Sequence, residues 1–420
     1  MKKKIFLFIT TALLIISAVF PVSADENSEN VRIKASMESF LRTDGGIIGI
    51  SNRGEWDSFP ENSIPAIEEA AKTDIDFVLV DVKKTSDGSL ILFSDDTSER
   101  MLISDTVLTI SETDLKTLSS LPLRGSCGGS NTEKSEYFIP TLRDAVSAAE
   151  KNDIPLILRC SAEITSAVAG EIKNSDAQDM CIIFSEGSQK EVIEAKNNCP
   201  DGITFISAIK GNVIFNIVSF VNKTHEAGFS GVNLRTTNRY GINYYSSLLS
   251  SYGEKMRIIA DTAHPEINGA RQDSEKWWDD LISRGYSVII TDHAELFSEY
   301  KTRNADARER LRLLYKAYVT DHTLPDFKDE ALNDYKKAYT DAVSFSESLL
   351  GDNSASTRDI NDCYSALNKA ANDIKINFSA LEDGSAGTTI TVPRIILCIA
   401  AVAVVVTVQI YFFRRRKKVG

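Results

Sequence analysis

The sequence predicts an α/β fold followed by a helical unit. Three observations carry this. From about Gly46 to Glu299, short apolar runs alternate with longer amphipathic stretches. After Tyr300 the β-branched runs thin out and a 3.6-residue helical period takes over. A length of 420 residues exceeds one ordinary domain, so two or more units are expected. Hydrophobic content of 43% with 25% charged residues fits a globular chain with a buried core.

The elements follow in order. Ile47–Ile50 reads as a strand. Ser63–Lys72 is helical, with Asn62 as its expected cap. Phe77–Val82 and Leu90–Phe93 are strands separated by the turn Ser86-Asp87-Gly88. Leu142–Lys151 is a helix and Leu156–Cys160 a strand. Met180–Phe184, Ile203–Ser207, Gly231–Leu234, Arg257–Ala260 and Ser287–Thr291 complete the strand candidates, with helices such as Gln189–Asn197 and Glu275–Arg284 between them. This β/α alternation is the expected content of a (β/α)8 barrel, and equally of a doubly wound open sheet. Beyond Tyr300, the helical segments are Ala305–Val319, Asp329–Leu350 and Arg358–Ile376, broken by Gly351-Asp352-Asn353-Ser354. They predict a small three-helix bundle over 303–380. Residues 381–394, with Gly384, Ser385, Ala386 and Gly387, read as a flexible linker.

Two apolar segments predict the topology. Lys2-Lys3-Lys4, an apolar run and Val22-Ser23-Ala24 form a secretory signal over 1–24. Residues 395–413 are close to the ~20 residues needed to cross a bilayer. The basic tail 414–420 then stays in the cytoplasm. No LPxTG-like site precedes that span; Val392-Pro393-Arg394 is a poor substitute. The expectation is a single-pass type I protein of the cell membrane with its bulk outside. The net charge of −12 excludes nucleic acid as a general partner. Of the six cysteines, Cys398 lies in the expected span. The others form no CxxC pair and read as scattered buried thiols, with one disulfide among Cys127, Cys160, Cys181 and Cys199 left open.

Residues 48–100 contain Asn52-Arg53-Gly54, Pro60-Glu61-Asn62-Ser63, Leu79-Val80-Asp81 and Ser94-Asp95. This frame resembles the glycerophosphodiester phosphodiesterase family, whose barrel begins with an HRG motif, a PENT motif, an ExD pair and an HD motif. Ile139-Pro140-Thr141-Leu142 looks like the family's IPTL, and Gly285–Asp292 like its closing GVDGIITD strand. The resemblance implies a TIM barrel of the phospholipase C-like phosphodiesterase type over residues 36–300, rather than an open sheet. The segment from Ala331 to Ile374 also resembles the FIVAR-type modules of bacterial surface proteins.

The family's chemistry, as the resemblance implies it, uses two histidines as general acid and base and a divalent cation, calcium or magnesium, held by carboxylates. Asn52 and Ser94 stand at the histidine positions; an amide moves no proton, and an unassisted hydroxyl is a poor acid and base. Leu79 stands in place of one metal-ligand carboxylate. Arg159 replaces another, and Ser161 a phosphate-contacting lysine. Asp81 is the one retained metal ligand. Arg53, Glu61 and Asn62 are the ligand-binding candidates, since an arginine grips phosphate with two parallel hydrogen bonds; Arg53–Glu61 reads equally as a buried ion pair holding a loop. Asp95, Asp261 and His264 follow strand ends and are candidate substitutes. His293 has a similar placement, Asp96 accompanies Asp95, and Asp76 falls at the far end of the barrel. His225 and His322 read as surface residues, and one of Trp277 and Trp278 as barrel packing.

Two functions follow from the resemblance. The first is a catalytically impaired surface protein that binds a glycerophosphodiester or polyol-phosphate ligand and needs no cofactor. The second is an active, metal-dependent phosphodiesterase of lipid or teichoic-acid-type metabolism with a divergent site. No protein partner is legible in the sequence.

Overall fold

The computed structural model describes residues 30–43, 45–209, 217–233, 255–263, 273–321 and 332–382. Eight parallel strands close into a barrel: β1 (Ile48–Asn52), β2 (Phe77–Lys84), β6 (Leu156–Ser161), β7 (Cys181–Gly187), β8 (Thr204–Ile209), β9 (Gly231–Asn233), β10 (Arg257–Asp261) and β11 (Val288–Thr291). Pairing of β1 with both β2 and β11 closes the ring. The strands are nearly continuous runs of buried residues, as expected where a parallel sheet is covered on both faces. Facing the barrel axis, Ile50, Leu79, Ile157, Phe184 and Ile259 fill the interior.

Helices cover the outside: α2 (Ile64–Ala70), α4 (Leu142–Lys151), α5 (Thr165–Asn174), α6 (Gln189–Asn197), α7 (Ile217–Glu226) and α8 (Glu275–Ser283). Trp278 on α8 is fully buried against Phe297 and Tyr300, with ring centroids 4.9 and 5.9 Å away. An additional helix, α1 (Val31–Leu41), closes the floor of the barrel and begins ahead of residue 36. Its Phe40 packs edge-on to Phe77, centroids 5.7 Å apart. Gly231 leaves room for it: a Cβ there would lie 3.3 Å from the Phe40 ring. Asp153 accepts from the backbone N–H of Arg32 and Ile33 at the start of α1, at 2.9 and 3.0 Å. At its other end Arg257 donates to the carbonyls of Ser39, Phe40 and Gly46.

Above the mouth, β2 runs on and pairs antiparallel with β3 (Leu90–Leu92), with Gly88 at φ +86° in the turn. Residues 93–139 form an insertion with its own small core around Phe93, Met101, Leu102 and Leu123. It carries the helix α3 (Leu115–Leu118) and a hairpin of β4 (Pro122–Arg124) with β5 (Lys134–Phe138). The sequence reading has no counterpart for this hairpin, because its strands are short and mostly polar.

Helix α9 (Ala294–Tyr315) packs on β1 through Phe297, then continues past the barrel. With α10 (Asn333–Leu350) and α11 (Thr357–Glu382) it surrounds a second core containing Leu311, Phe345, Leu349, Ile360 and Leu367. No break separates the two units: the expected boundary between residues 300 and 303 falls inside α9. Asn304 Nδ2 donates to the Ala355 carbonyl at 3.0 Å, and Arg358 on α11 pairs with Asp279 on α8 at 3.4 Å. Among the described residues no helix is long and apolar enough to cross a membrane. The expected signal 1–24, span 395–413 and basic tail 414–420 lie outside the described residues. Among the described residues, the cysteines Cys127, Cys160, Cys181, Cys199 and Cys363 are free thiols. Burial pushes the Cys160 and Cys181 thiols up to about 12, which makes them unreactive packing residues.

Strand bounds differ from the sequence reading by at most three residues at an end, the largest shift being the end of β7 at Gly187 rather than Phe184. One difference bears on the site. Ser63, not Asn62, caps α2, accepting from the Ala66 N–H at 3.3 Å. Asn62 is turned into the barrel mouth with φ +56°.

Candidate functional site

The carboxyl ends of the strands form the mouth, the face on which such barrels carry their sites. Asn52 ends β1, Asp81 lies on β2, Arg159 on β6 and Asp261 ends β10; Asp292 follows β11 directly. Arg53 leaves β1 with φ +65°, its N–H held by the Leu79 carbonyl at 2.7 Å. Such a conformation is uncommon outside glycine. Gly54 follows at φ +80°, and any Cβ there would lie 2.7 Å from the Ala66 carbonyl oxygen. The turn therefore presses the loop onto α2 and aims Arg53 over the mouth.

The side chains of this motif set converge on Asp81. Its Oδ1 accepts from Arg159 Nε. Its Oδ2 faces Arg53 Nε at 2.7 Å, Ser94 Oγ at 2.7 Å and Asn62 Nδ2 at 3.2 Å. The Asp81 N–H donates to Asn62 Oδ1 at 2.8 Å. Ser94 accepts from Asn62 Nδ2 at 2.8 Å and has one proton to share between Asp81 and Glu61 Oε1, each 2.7 Å away. Glu61, 3% exposed, also takes Arg53 Nη1 at 3.1 Å and Arg100 Nη2 at 2.6 Å. Arg100 extends the network to both oxygens of Asp95, at 2.7 and 3.0 Å.

Arg159 crosses the mouth. Its strand, β6, lies diametrically opposite β10 in the eight-strand ring. Besides Asp81, its guanidinium reaches Asn52 Oδ1 on β1, at 3.3 Å from Nη2, and Asp261 Oδ2 on the far wall, at 3.7 Å from Nη1. Asn52 is pinned from the other side, donating to Asp292 Oδ1 at 2.9 Å; Trp56 Nε1 donates to the same oxygen at 3.1 Å. Asp273 supports this corner by accepting from the Asp292 N–H, Thr262 Oγ1 and Trp278 Nε1 at 2.6 to 2.8 Å.

The electrostatics follow from these contacts. Burial pushes the Asp81 carboxyl up, but the Arg159 and Arg53 charges and their hydrogen bonds outweigh it and hold it well below the usual carboxylate range. Burial alone would lower Arg159; the charges of Asp81, Asp261 and Glu186 raise it instead, so the guanidinium stays charged. Asp292 is raised, first by burial and also by the Asp273 and Asp261 carboxylates, against the hydrogen bonds from Asn52 and Trp56.

The divalent cation implied by the resemblance does not fit these residues. Leu79 lies in the apolar core, 0% exposed. Both oxygens of Asp81 are taken by protein donors, and a buried guanidinium stands where a third ligand is expected. A hard cation needs several free oxygen ligands. Among the described residues, no group of three or more His, Cys, Asp or Glu side chains has a metal-holding arrangement.

Of the candidate substitutes, the described Asp95 and Asp261 take different partners. Asp95 turns to Arg100, and Asp96 projects outward to Lys83. Asp261 reaches the mouth from the opposite wall, and His264 lies outside the described residues. His293 precedes α9 and is half-buried; His225 is exposed on α7, and His322 lies outside the described residues. Asp76 accepts from the Gly49 N–H at 2.7 Å and pairs with Lys301 at the opposite end of the barrel. Sequence reasoning missed Arg100, Trp56 and Asp292 as members of the network. Asp292 was within reach, since it follows a strand end as Asp261 does; Arg100 and Trp56 sit in loops with no periodic signal.

Among the described residues, the arrangement holds no imidazole pair for proton transfer. It offers three guanidinium groups in a carboxylate frame, of which Arg53 and Arg100 keep 28% and 30% of their side chains open to solvent.

The chain is similar in part to several known proteins. The curated Uncharacterized protein YqiK of Bacillus subtilis (strain 168) is 27% identical over 150 residues, 34% of this chain and 50% of that protein. The chain thus spans about half the length of that curated relative. Among solved structures, a glycerophosphodiester phosphodiesterase from Agrobacterium tumefaciens str. C58 is 14% identical with a TM-score of 0.47, covering 60% of this chain and 99% of that one. A glycerophosphoryl diester phosphodiesterase from Parabacteroides distasonis ATCC 8503 is 18% identical with a TM-score of 0.48, covering 64% and 92%. An Oleispira antarctica phosphodiesterase, solved in complex with the product sn-glycerol-3-phosphate, is 16% identical with a TM-score of 0.46, covering 60% and 94%. The model of the Glycerophosphoryl diester phosphodiesterase family matches residues 53–197, so the chain carries a domain of that family from the end of β1 to the end of α6.

Proposed function

We propose that this protein is a membrane-anchored, extracellular member of the phosphodiesterase-like barrels that binds a phosphate ester without hydrolysing it. One observation carries the reading: Arg159 lies across the mouth and, with Arg53, saturates the carboxylate of Asp81. That arrangement leaves no seat for a cation. With Asn52 and Ser94 in place of an acid–base pair, proton transfer loses on the order of 100- to 10,000-fold in rate per group. The matching family domain supports a glycerophosphoryl or polyol-phosphate ligand. Arg53 and Arg100 are its solvent-reachable anion contacts. An incoming phosphate competes with Glu61 and Asp81 for Arg53, so binding is weak and falls with salt.

The test uses the full chain in detergent, with glycerophosphocholine and calcium or magnesium. Expected are no metal-dependent release of choline, and calorimetric binding of glycerol 3-phosphate that Arg53→Met weakens tenfold or more. Metal-dependent turnover abolished by Asp81→Ala would instead establish the active-enzyme reading. The anchoring rests on the signal-like residues 1–24 and the apolar run 395–413. Protease added to intact cells should digest the barrel and leave a fragment containing the span; a protected barrel reverses the orientation.

A further inference from the structure

We infer a second binding position in the mouth, formed by Asn233, Asp261 and Arg159, for a neutral hydroxyl-bearing group of the polyol or sugar class. It deepens the proposed function by giving the non-phosphate end of a ligand its own contacts, and it is testable without phosphate.

The observation is a set of buried polar atoms with nothing to bond. Asn233 is 0% exposed, yet neither its Oδ1 nor its Nδ2 has a hydrogen-bond partner. Asp261, whose side chain is 6% exposed, leaves its Oδ1 buried and without a hydrogen bond. Each such group is destabilising while it stays unpaired, and native interiors rarely keep one. Here the orphans come from neighbouring strand ends. β9 and β10 pair with Asn233 opposite Ile259, so Asp261 is the next residue along β10 on the same face. Side chains two residues apart on alternate pleats share a face. That face is the interior one: a Cβ on Gly231 would meet Ile206, Ile259 and Phe40 inside the barrel, and Asn233 follows it by two. The residue opposite Asn233 on β8 is Ala208, whose methyl offers the amide no hydrogen bond. Arg159 Nη1 reaches this wall but stops 3.7 Å from Asp261 Oδ2, beyond hydrogen-bond length.

The donor and acceptor pattern selects the ligand. Asn233 offers one donor group and one acceptor, Asp261 an acceptor, Arg159 Nη1 a donor. A phosphate or carboxylate here would oppose Asp261. A metal ion would meet the fixed positive charge of Arg159, which already pairs with Asp261. An ammonium group would meet the charge of Arg159. Hydroxyl groups both donate and accept, so adjacent hydroxyls satisfy the carboxylate with their protons and the amide and guanidinium with their lone pairs. Ordered water has the same capacity and is the competing occupant.

The experiment titrates the full chain with glycerol and with sorbitol, read by saturation-transfer NMR, for the native protein, Asn233→Leu and Asp261→Asn. Inorganic phosphate is titrated in parallel. Expected are saturable polyol binding by the native protein, at least a tenfold loss in Asn233→Leu with an unchanged or raised Tm, a loss in Asp261→Asn, and unaltered phosphate binding in Asn233→Leu. Should the leucine variant fail to fold, Asp261→Asn, of the same shape, decides the matter. Absence of saturable polyol binding in the native protein, or equal binding in the variants, means that water fills the position and overturns the inference. Polyol binding without any phosphate binding would overturn the proposed phosphate reading while leaving this one standing.

Discussion

At the residue scale, the mouth of this barrel is governed by one exchange of charge. Arg159 puts a fixed guanidinium beside Asp81, where the resemblance leads one to expect a carboxylate and a mobile cation. Removing either member of such a buried pair leaves an uncompensated charge, a loss of roughly 3–5 kcal/mol. Asp292 behaves in the opposite sense. Its folded-state pKa is raised, so the neutral form is the one the fold favours. Stability from that form is fully present below the usual carboxyl range and is lost as pH rises through the folded-state value. Asp292→Asn keeps an acceptor for Asn52 and Trp56 and copies the neutral form. Its Tm should exceed that of the native chain by a few degrees at pH 7 and match it near pH 3. A lower Tm at pH 7 would show that the Asp292 charge is needed. Part of the reading lay in residue types: Asn52, Ser94, Leu79 and Arg159 stand where the resemblance leads one to expect two histidines and two metal-binding carboxylates. What the sequence could not show is that Arg159 reaches across to Asn52 and Asp261, because that depends on which strands face each other around the ring.

At the element scale, the barrel strands and most of its helices were readable because each is a buried run or an amphipathic stripe. Some elements were not, among them the β4–β5 hairpin and α1. The β4–β5 hairpin alternates weakly and is mostly polar, and α1 precedes the barrel without a strand to announce it. Asn62 was misread as a cap because its type suits either role; Ser63, one residue later, has the extended backbone a cap requires. Helix α1 closes the barrel floor and is held at its start by Asp153, which sits at φ +49°. Asp153→Gly keeps that backbone angle available while deleting the two hydrogen bonds. It should cost about 1–2 kcal/mol, the range for lost helix caps, seen as a lower denaturation midpoint. An unchanged midpoint would mean that Arg257, the Arg32 side chain and the buried face of α1 secure the helix without Asp153.

At the scale of the whole molecule, the barrel and the C-terminal helices are joined by the uninterrupted α9, which the composition change after Tyr300 did not reveal. A change of pattern marks a new core, not a break in the backbone: the first core takes Phe297 and Tyr300 from this helix, the second takes Ala307 and Leu311. The helical unit therefore continues the barrel's last helix, with Asn304, Arg358 and Asp279 fixing the junction. What unites the molecule functionally is a barrel mouth closed by its own ion pairs rather than assembled around a metal. The measurement that tests this most directly is isothermal titration of calcium and of magnesium into the full chain, after chelation and at low ionic strength. The account predicts no saturable binding for the native protein at millimolar cation. Saturable one-to-one binding that disappears in Asp81→Asn would contradict it, because Asp81 would then be free to bind a cation despite Arg159.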